Sequence, residues 1–181
     1  MSAASVNNIK STQSGVVPTR FPLLVVFSLF LSLLVIACSS YQPINVPLAE
    51  RSVNLSNIRL VRQILYSELR EWDSVGYRMG GLSKDGVDCS GLVYIIYRSR
   101  FGIPLPRRTY EQSRVGREVA QQQLRPGDLV FFRTGRHVNH VGIYLDHRRF
   151  LHVSTRRGVM VSSLDDAYWA GKYWKSMRVH S

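Results

Sequence analysis

The feature that most limits the fold is a change of period at Arg125-Pro126-Gly127-Asp128. Before this turn signal apolar residues recur at helical spacing, and after it they fall into short β-rich runs. Ile58, Val61, Leu65, Leu69 and Trp72, with Arg59, Arg62, Arg70 and Glu71 between them, make the apolar stripe of an amphipathic helix over 57–72. Leu92, Val93, Ile95, Ile96 and Tyr97 predict a second helix, which stops near Gly102 and cannot pass Pro104. A short helical piece from Thr109 to Val115 is closed by Gly116. Downstream, Leu129–Arg133, Val138–Leu145, Phe150–Thr155, Val159–Ser163 and Tyr173–Val179 read as strands, with hairpins at Asp146–Arg149 and Arg156–Gly158. Helices first and strands afterwards mean an α+β domain, an antiparallel five- to six-stranded sheet covered on one face by the N-terminal helices.

The second helix opens with Asp88-Cys89-Ser90-Gly91. A thiol in a first helical turn faces outward-pointing backbone N–H groups and the positive end of the dipole, which favours thiolate and predicts a lowered pKa. Asp88 and Ser90 are expected as N-terminal caps that can also contact substrate, and for Asp88 the capping role alone is the competing reading. The Gly-rich stretch 73–87 reads as a loop that carries Tyr77 towards the cysteine.

In Asn139-His140-Val141-Gly142-Ile143-Tyr144-Leu145, alternation puts His140, Gly142 and Tyr144 on one face and the aliphatic residues on the other. The next run holds His152. The two histidines share a face only if an odd number of residues separates the paired ends of the hairpin, and that register is the one expected. His140 is then placed to take a proton from Cys89, with His152 bonding the far ring nitrogen, the arrangement of nucleophile, base and orienter. His137 repeats the His-Val dipeptide, but only His140 is followed by the Gly142 and Tyr144 pattern. His147, in a turn, and His180, near the end, are read as solvated. No metal or other cofactor is called for, since Cys89 has no cysteine partner and the histidines lack close metal-ligand spacing.

The first 37 residues read as an export signal. Met1–Pro22 carries Lys10 and Arg20 and no acidic residue, and Leu23–Ala37 is apolar apart from Ser28 and Ser32. That run is shorter than the about 20 residues a membrane span wants, so an uncleaved anchor is the weaker alternative. Val35-Ile36-Ala37-Cys38 resembles the lipobox of bacterial lipoproteins, in which Cys38 would be acylated and become the mature N-terminus. Ser39 behind it, where an aspartate would mark inner-membrane retention, points to the outer membrane of a Gram-negative cell. Residues 38–56 are then a lipidated tether, and 57–181 the catalytic domain. With Cys38 acylated, Cys89 is the one thiol left in an oxidising compartment, where it has no partner to staple.

The formal charge is +12, with 24 Lys and Arg residues, of which only two precede Cys38. Such a surface implies an anionic partner, a wall polymer or membrane face. Export and the lack of a basic recognition helix or aromatic RNA-binding motif exclude nucleic acid. A monomer is expected.

The ordered set of Tyr77, Asp88-Cys89-Ser90-Gly91, Arg125-Pro126-Gly127-Asp128-Leu129, His140-Val141-Gly142-Ile143-Tyr144 and His152 resembles the NlpC/P60 family of papain-like cell-wall peptidases. Tyr77-Arg78-Met79-Gly80-Gly81, Leu105-Pro106-Arg107 with Thr109-Tyr110-Glu111-Gln112, and Tyr168-Trp169 are similar, more narrowly, to its enterobacterial murein-endopeptidase lipoproteins. The similarity runs from about Ile58 to the C-terminus. It implies a papain-like fold, with Cys89 as nucleophile, His140 as general base, His152 as third residue and the Tyr77 hydroxyl helping the oxyanion. It further implies peptidoglycan as substrate, cut at the D-alanyl to meso-diaminopimelate crosslink or, alternatively, at the γ-D-glutamyl to meso-diaminopimelate bond. Arg78, Arg107 and Arg108 are candidates for the substrate's carboxylates, against simple solvation. An inactive wall-binding lipoprotein and an acyl transferase are the rival readings.

Overall fold

The computed structural model describes residues 45–136 and 139–180. The export region, Cys38 and His137 lie outside the described residues. Helix α1 spans Ile58–Glu71, capped by the Asn57 side chain on the Leu60 amide. A two-stranded ribbon follows, β1 (Leu82–Ser83) and β2 (Gly86–Val87), inside the stretch expected as loop. Helix α2 is Cys89–Ser99 and α3 is Thr109–Gln112, shorter than its sequence pattern suggested. Strands β3 (Arg117–Val119), β4 (Leu129–Arg133), β5 (Asn139–Tyr144), β6 (Arg149–Ser154), β7 (Gly158–Ser163) and β8 (Tyr173–Arg178) form one antiparallel sheet in the order β3-β8-β4-β5-β6-β7. A six-residue helix, α4 (Ala167–Lys172), precedes β8.

The five expected strands are present, with β3 added at the edge, which gives an α+β architecture of helices on an antiparallel sheet. The sheet is covered on both faces, however, not on one. Leu129, Phe131, Val141, Ile143, Leu151 and Val153 join Leu92, Val93 and Ile96 of α2 and Val61 and Leu65 of α1 in the main core. On the reverse face Val130, Phe132, Phe150 and Leu164 form a second cluster closed by Trp169 of α4 and by Tyr173. The reason lies in β4, whose run Leu129-Val130-Phe131-Phe132 is apolar at every position, so neither of its faces can be left to water.

The turn before β4 is fixed by Asp128, which is buried. Its carboxylate takes a two-point contact from Arg178 at 2.8 and 2.7 Å and caps the Arg125 amide at 2.8 Å. Tyr97 of α2 donates to the Gly127 carbonyl and ties the far half of α2 to this turn. Residues 45–56 are not a free tether. Val46 is buried in the main core, Arg98 Nε donates to its carbonyl, and the Ala49 and Val53 amides bond the Arg98 and Phe101 carbonyls.

Candidate active site

The first turn of α2 is built around Asp88. Its Oδ1 accepts the Gly91 amide at 2.7 Å and the Ser90 hydroxyl at 3.0 Å, and its Oδ2 accepts the Gly80 amide at 2.8 Å. Arg107 forks onto both oxygens at 2.9 and 2.7 Å. Burial works against this charge, but Arg107, the Gly91 amide and Ser90 outweigh it and hold the Asp88 carboxyl below the usual range. Asp88, Ser90 and Arg107 thus spend their polar groups on one another, and none of the three lines the adjacent cavity. The cavity lies over Cys89, encloses about 290 Å³, and is walled by Tyr77, Thr134, Asn139, His140, His152, Ser154, Thr155, Tyr168 and Trp169.

The expected hairpin register is present. Ile143 pairs with Leu151 and Tyr144 with Phe150, with five residues between the paired ends, so His140 and His152 lie on one face. That face is the one under α4, opposite α2. The cysteine nevertheless shares one cavity with both histidines, and the paired β5–β6 ladder ends at Ile143 and Leu151, short of them. At Gly142 there is no room for a side chain. A Cβ there would come within 2.6 Å of the Phe150 ring, 2.9 Å of the Leu151 carbonyl oxygen and 3.3 Å of the His152 Cβ. The missing side chain lets β6 close in on β5, so that His152 Nδ1 sits 3.1 Å from His140 Nε2.

His152 Nε2 is in turn 2.9 Å from Ser162 Oγ on β7. Trp169 stacks on His140 at 5.2 Å between centroids and 29° between planes, and meets His152 edge-on at 4.9 Å. Both imidazoles are pushed below the ordinary histidine range, His140 by burial and His152 by burial, by His140 and by Arg157. Both are therefore neutral at pH 7. With Nε2 of His140 committed to His152, Nδ1 is its remaining nitrogen. The assignment that keeps a lone pair there has His140 Nε2–H donating to His152 Nδ1, and His152 Nε2–H donating to Ser162.

Cys89 departs from the sequence expectation. Burial pushes the thiol up and the Asp88 charge adds to this, while the Val141 backbone, the Thr109 hydroxyl at 3.8 Å and the Ser90 backbone pull it back only in part. The helix start favours the thiolate, but the cost of burying that charge outweighs it. At rest the site is a neutral thiol beside neutral imidazoles. Tyr77 is held by its bridge to Val87. Burial raises its phenol, and the charges of Asp88 and Cys89 add to the rise, so it is a protonated donor.

Of the residues singled out in the sequence, Tyr77, Cys89, His140 and His152 meet at one cavity. His147 and His180 are exposed, as expected. Ser162 and Trp169 drew no expected role. A serine in a strand is an ordinary residue, and Trp169 stood out in the sequence only within the Tyr168-Trp169 similarity, with no role attached.

A family model described as NlpC/P60 family matches residues 74–178. The chain belongs to the NlpC/P60 family. It is 40% identical over 162 residues to a protein of Escherichia coli (strain K12) named "Probable endopeptidase NlpC", covering 88% of this chain and 99% of that one. It is 45% identical over 121 residues to the "Murein DD-endopeptidase MepS/Murein LD-carboxypeptidase" of the same organism, covering 67% of this chain and 64% of that one. Among solved structures, an NlpC/P60 family protein from Bacillus cereus ATCC 10987 superposes with a TM-score of 0.61 at 30% identity, over 66% of this chain and 40% of that one.

Proposed function

We propose that this NlpC/P60 chain is a murein endopeptidase that hydrolyses an amide bond of peptidoglycan stem peptides through a thioester on Cys89. The observation that carries the reading is the shared cavity, lined by the thiol and by a histidine pair whose mutual hydrogen bond uses Nε2 of His140 and not its Nδ1. Cys89 Sγ attacks the scissile carbonyl as its proton passes to His140 Nδ1. The imidazolium is steadied by His152 and by the face of Trp169. His140 then gives the proton to the departing amine, and a thioester remains. A water enters, loses its proton to His140 and releases the acid product, which returns the thiol. The Tyr77 hydroxyl and the backbone N–H of Cys89 are the donors for the oxyanion, a contribution of about 3 kcal/mol per donor.

Among murein bonds the D-alanyl to meso-diaminopimelate crosslink is the proposed target, supported by the similarity to a protein named as a DD-endopeptidase. Export, acylation of Cys38 and residence at the outer membrane belong to the same proposal and rest on the sequence of residues 1–39.

The test is digestion of purified crosslinked murein by a fragment starting at Ser39, beside its Cys89→Ala version, with the products separated and weighed. Crosslinked dimers falling to intact monomer stems, only with Cys89 present, are expected. Stems cut after D-glutamate would move the assignment to the γ-D-glutamyl bond, and absence of any cysteine-dependent product would favour a wall-binding protein.

A further inference from the structure

One stretch stands out beside the site without a place in the chemistry above: Leu105-Pro106-Arg107-Arg108-Thr109-Tyr110-Glu111-Gln112. Three of its side chains reach three consecutive residues at the start of α2. Arg107 forks onto Asp88, Thr109 Oγ1 lies 3.8 Å from Cys89 Sγ, and Gln112 Nε2 donates to the Ser90 carbonyl at 3.0 Å. Gln112 is fully buried, and its second bond, 2.9 Å to the Pro106 carbonyl, closes the strap on itself. Arg107 Nη1 also donates to Ser90 Oγ at 2.9 Å, and Nη2 to the Gly81 carbonyl at 3.3 Å. Room for that guanidinium is made by Gly91, where a Cβ would lie 3.2 Å from Arg107 Nη2 and 2.5 Å from the Gly81 carbonyl oxygen.

We propose that this strap positions the nucleophile: Arg107 cancels the charge of the capping carboxylate beside the sulfur, and Thr109 supplies the hydrogen bond that the sulfur takes up when it ionises. The cap that fixes the helix start is an anion one residue away from the group that must itself become an anion. Without Arg107 the Asp88 charge would stand unopposed next to the forming thiolate. The groups facing Cys89 are Asp88 from its own cap, Tyr77 from the preceding loop, His140 and His152 from β5 and β6, and Thr109 from α3. Arg107 is the cation bonded to this set, and it acts through Asp88. Thr109 touches the reacting atom, whereas Arg107 and Gln112 are positioning residues.

The inference rests on Cys89 being the nucleophile, but its test does not need murein. The rate of alkylation of the folded fragment by iodoacetamide is measured against pH for wild type, Thr109→Val, Thr109→Ser and Arg107→Met. An upward shift of about one pH unit leaves tenfold less thiolate at a fixed pH below the midpoint, partly offset by its greater nucleophilicity, so alkylation slows about threefold. Thr109→Val and Arg107→Met are expected to show this slowing with the pH profile displaced upward, and Thr109→Ser to restore it. Unchanged profiles in both Thr109→Val and Arg107→Met, at whatever melting temperature, would overturn the proposal, and so would failure of serine to rescue. If Arg107→Met does not fold, the valine and serine pair decides. Displaced profiles in a protein that leaves murein intact would uphold the strap and defeat the endopeptidase reading.

Discussion

At the scale of the residue, Gly142 ties packing to chemistry most directly. It stands on the histidine face of β5, and the two atoms nearest a new Cβ belong to a buried ring and a backbone carbonyl, neither of which can swing away. Gly142→Ala is therefore expected to cost about 2 kcal/mol of stability and to push β6 away, lengthening the His140–His152 contact. Murein hydrolysis should fall more than tenfold while the thiol still alkylates. A crystal structure of the variant checks the displacement, and a melting curve checks the cost. The glycine was visible in the sequence, and so was the parity of the register. What could not be read there was that the vacancy was already claimed by Phe150 and His152, because that depends on how closely two strands approach.

At the scale of the element, α4 does more than connect β7 to β8. Its Trp169 packs on Phe132, Phe150 and both histidines. Trp169→Ala should open the reverse face to water and remove about 3 kcal/mol. Since burial is what depresses both imidazoles, their pKa values should climb back towards 6.5, which NMR titration of the ring protons would follow. The same burial sets a stability window. A histidine kept neutral in the fold but free to protonate when unfolded makes the native state lose ground as pH falls below 6.5, the ordinary histidine value. Melting temperature is thus expected to drop from pH 7 to pH 5, and to drop less in Trp169→Ala, where part of the depression is already gone. The positions of the five long strands and of the long helices were legible because their apolar periods are regular over five or more residues. Helix α4 was not, since six residues with one half-buried tryptophan carry no period. The two short strands of the β1–β2 ribbon escaped for the same reason. The thiol's shift was misjudged because the dipole of a helix start is a local property, whereas burial is set by β5 and α3, far along the chain.

At the scale of the whole molecule, the domain begins earlier than its helices. The sequence from 45 to 56 shows no period, so it read as a tether, yet Val46 sits in the core and Arg98 and Phe101 hold the segment by backbone bonds. A fragment starting at residue 57 should melt several degrees below one starting at 45, because it uncovers Phe101 and leaves the Arg98 and Phe101 carbonyls unpaired; calorimetry on the two fragments decides this. The docking also fixes how much slack a lipid on Cys38 would allow. Seven peptide steps separate Cys38 from Asn45, where the described residues begin, and seven steps span at most about 25 Å when fully extended. On the proposal that Cys38 is acylated, an enzyme held by so short a lead would be a cutter of limited reach. It would work the thin layer of wall next to its membrane, and its rate in the cell would follow how often crosslinks pass through that layer.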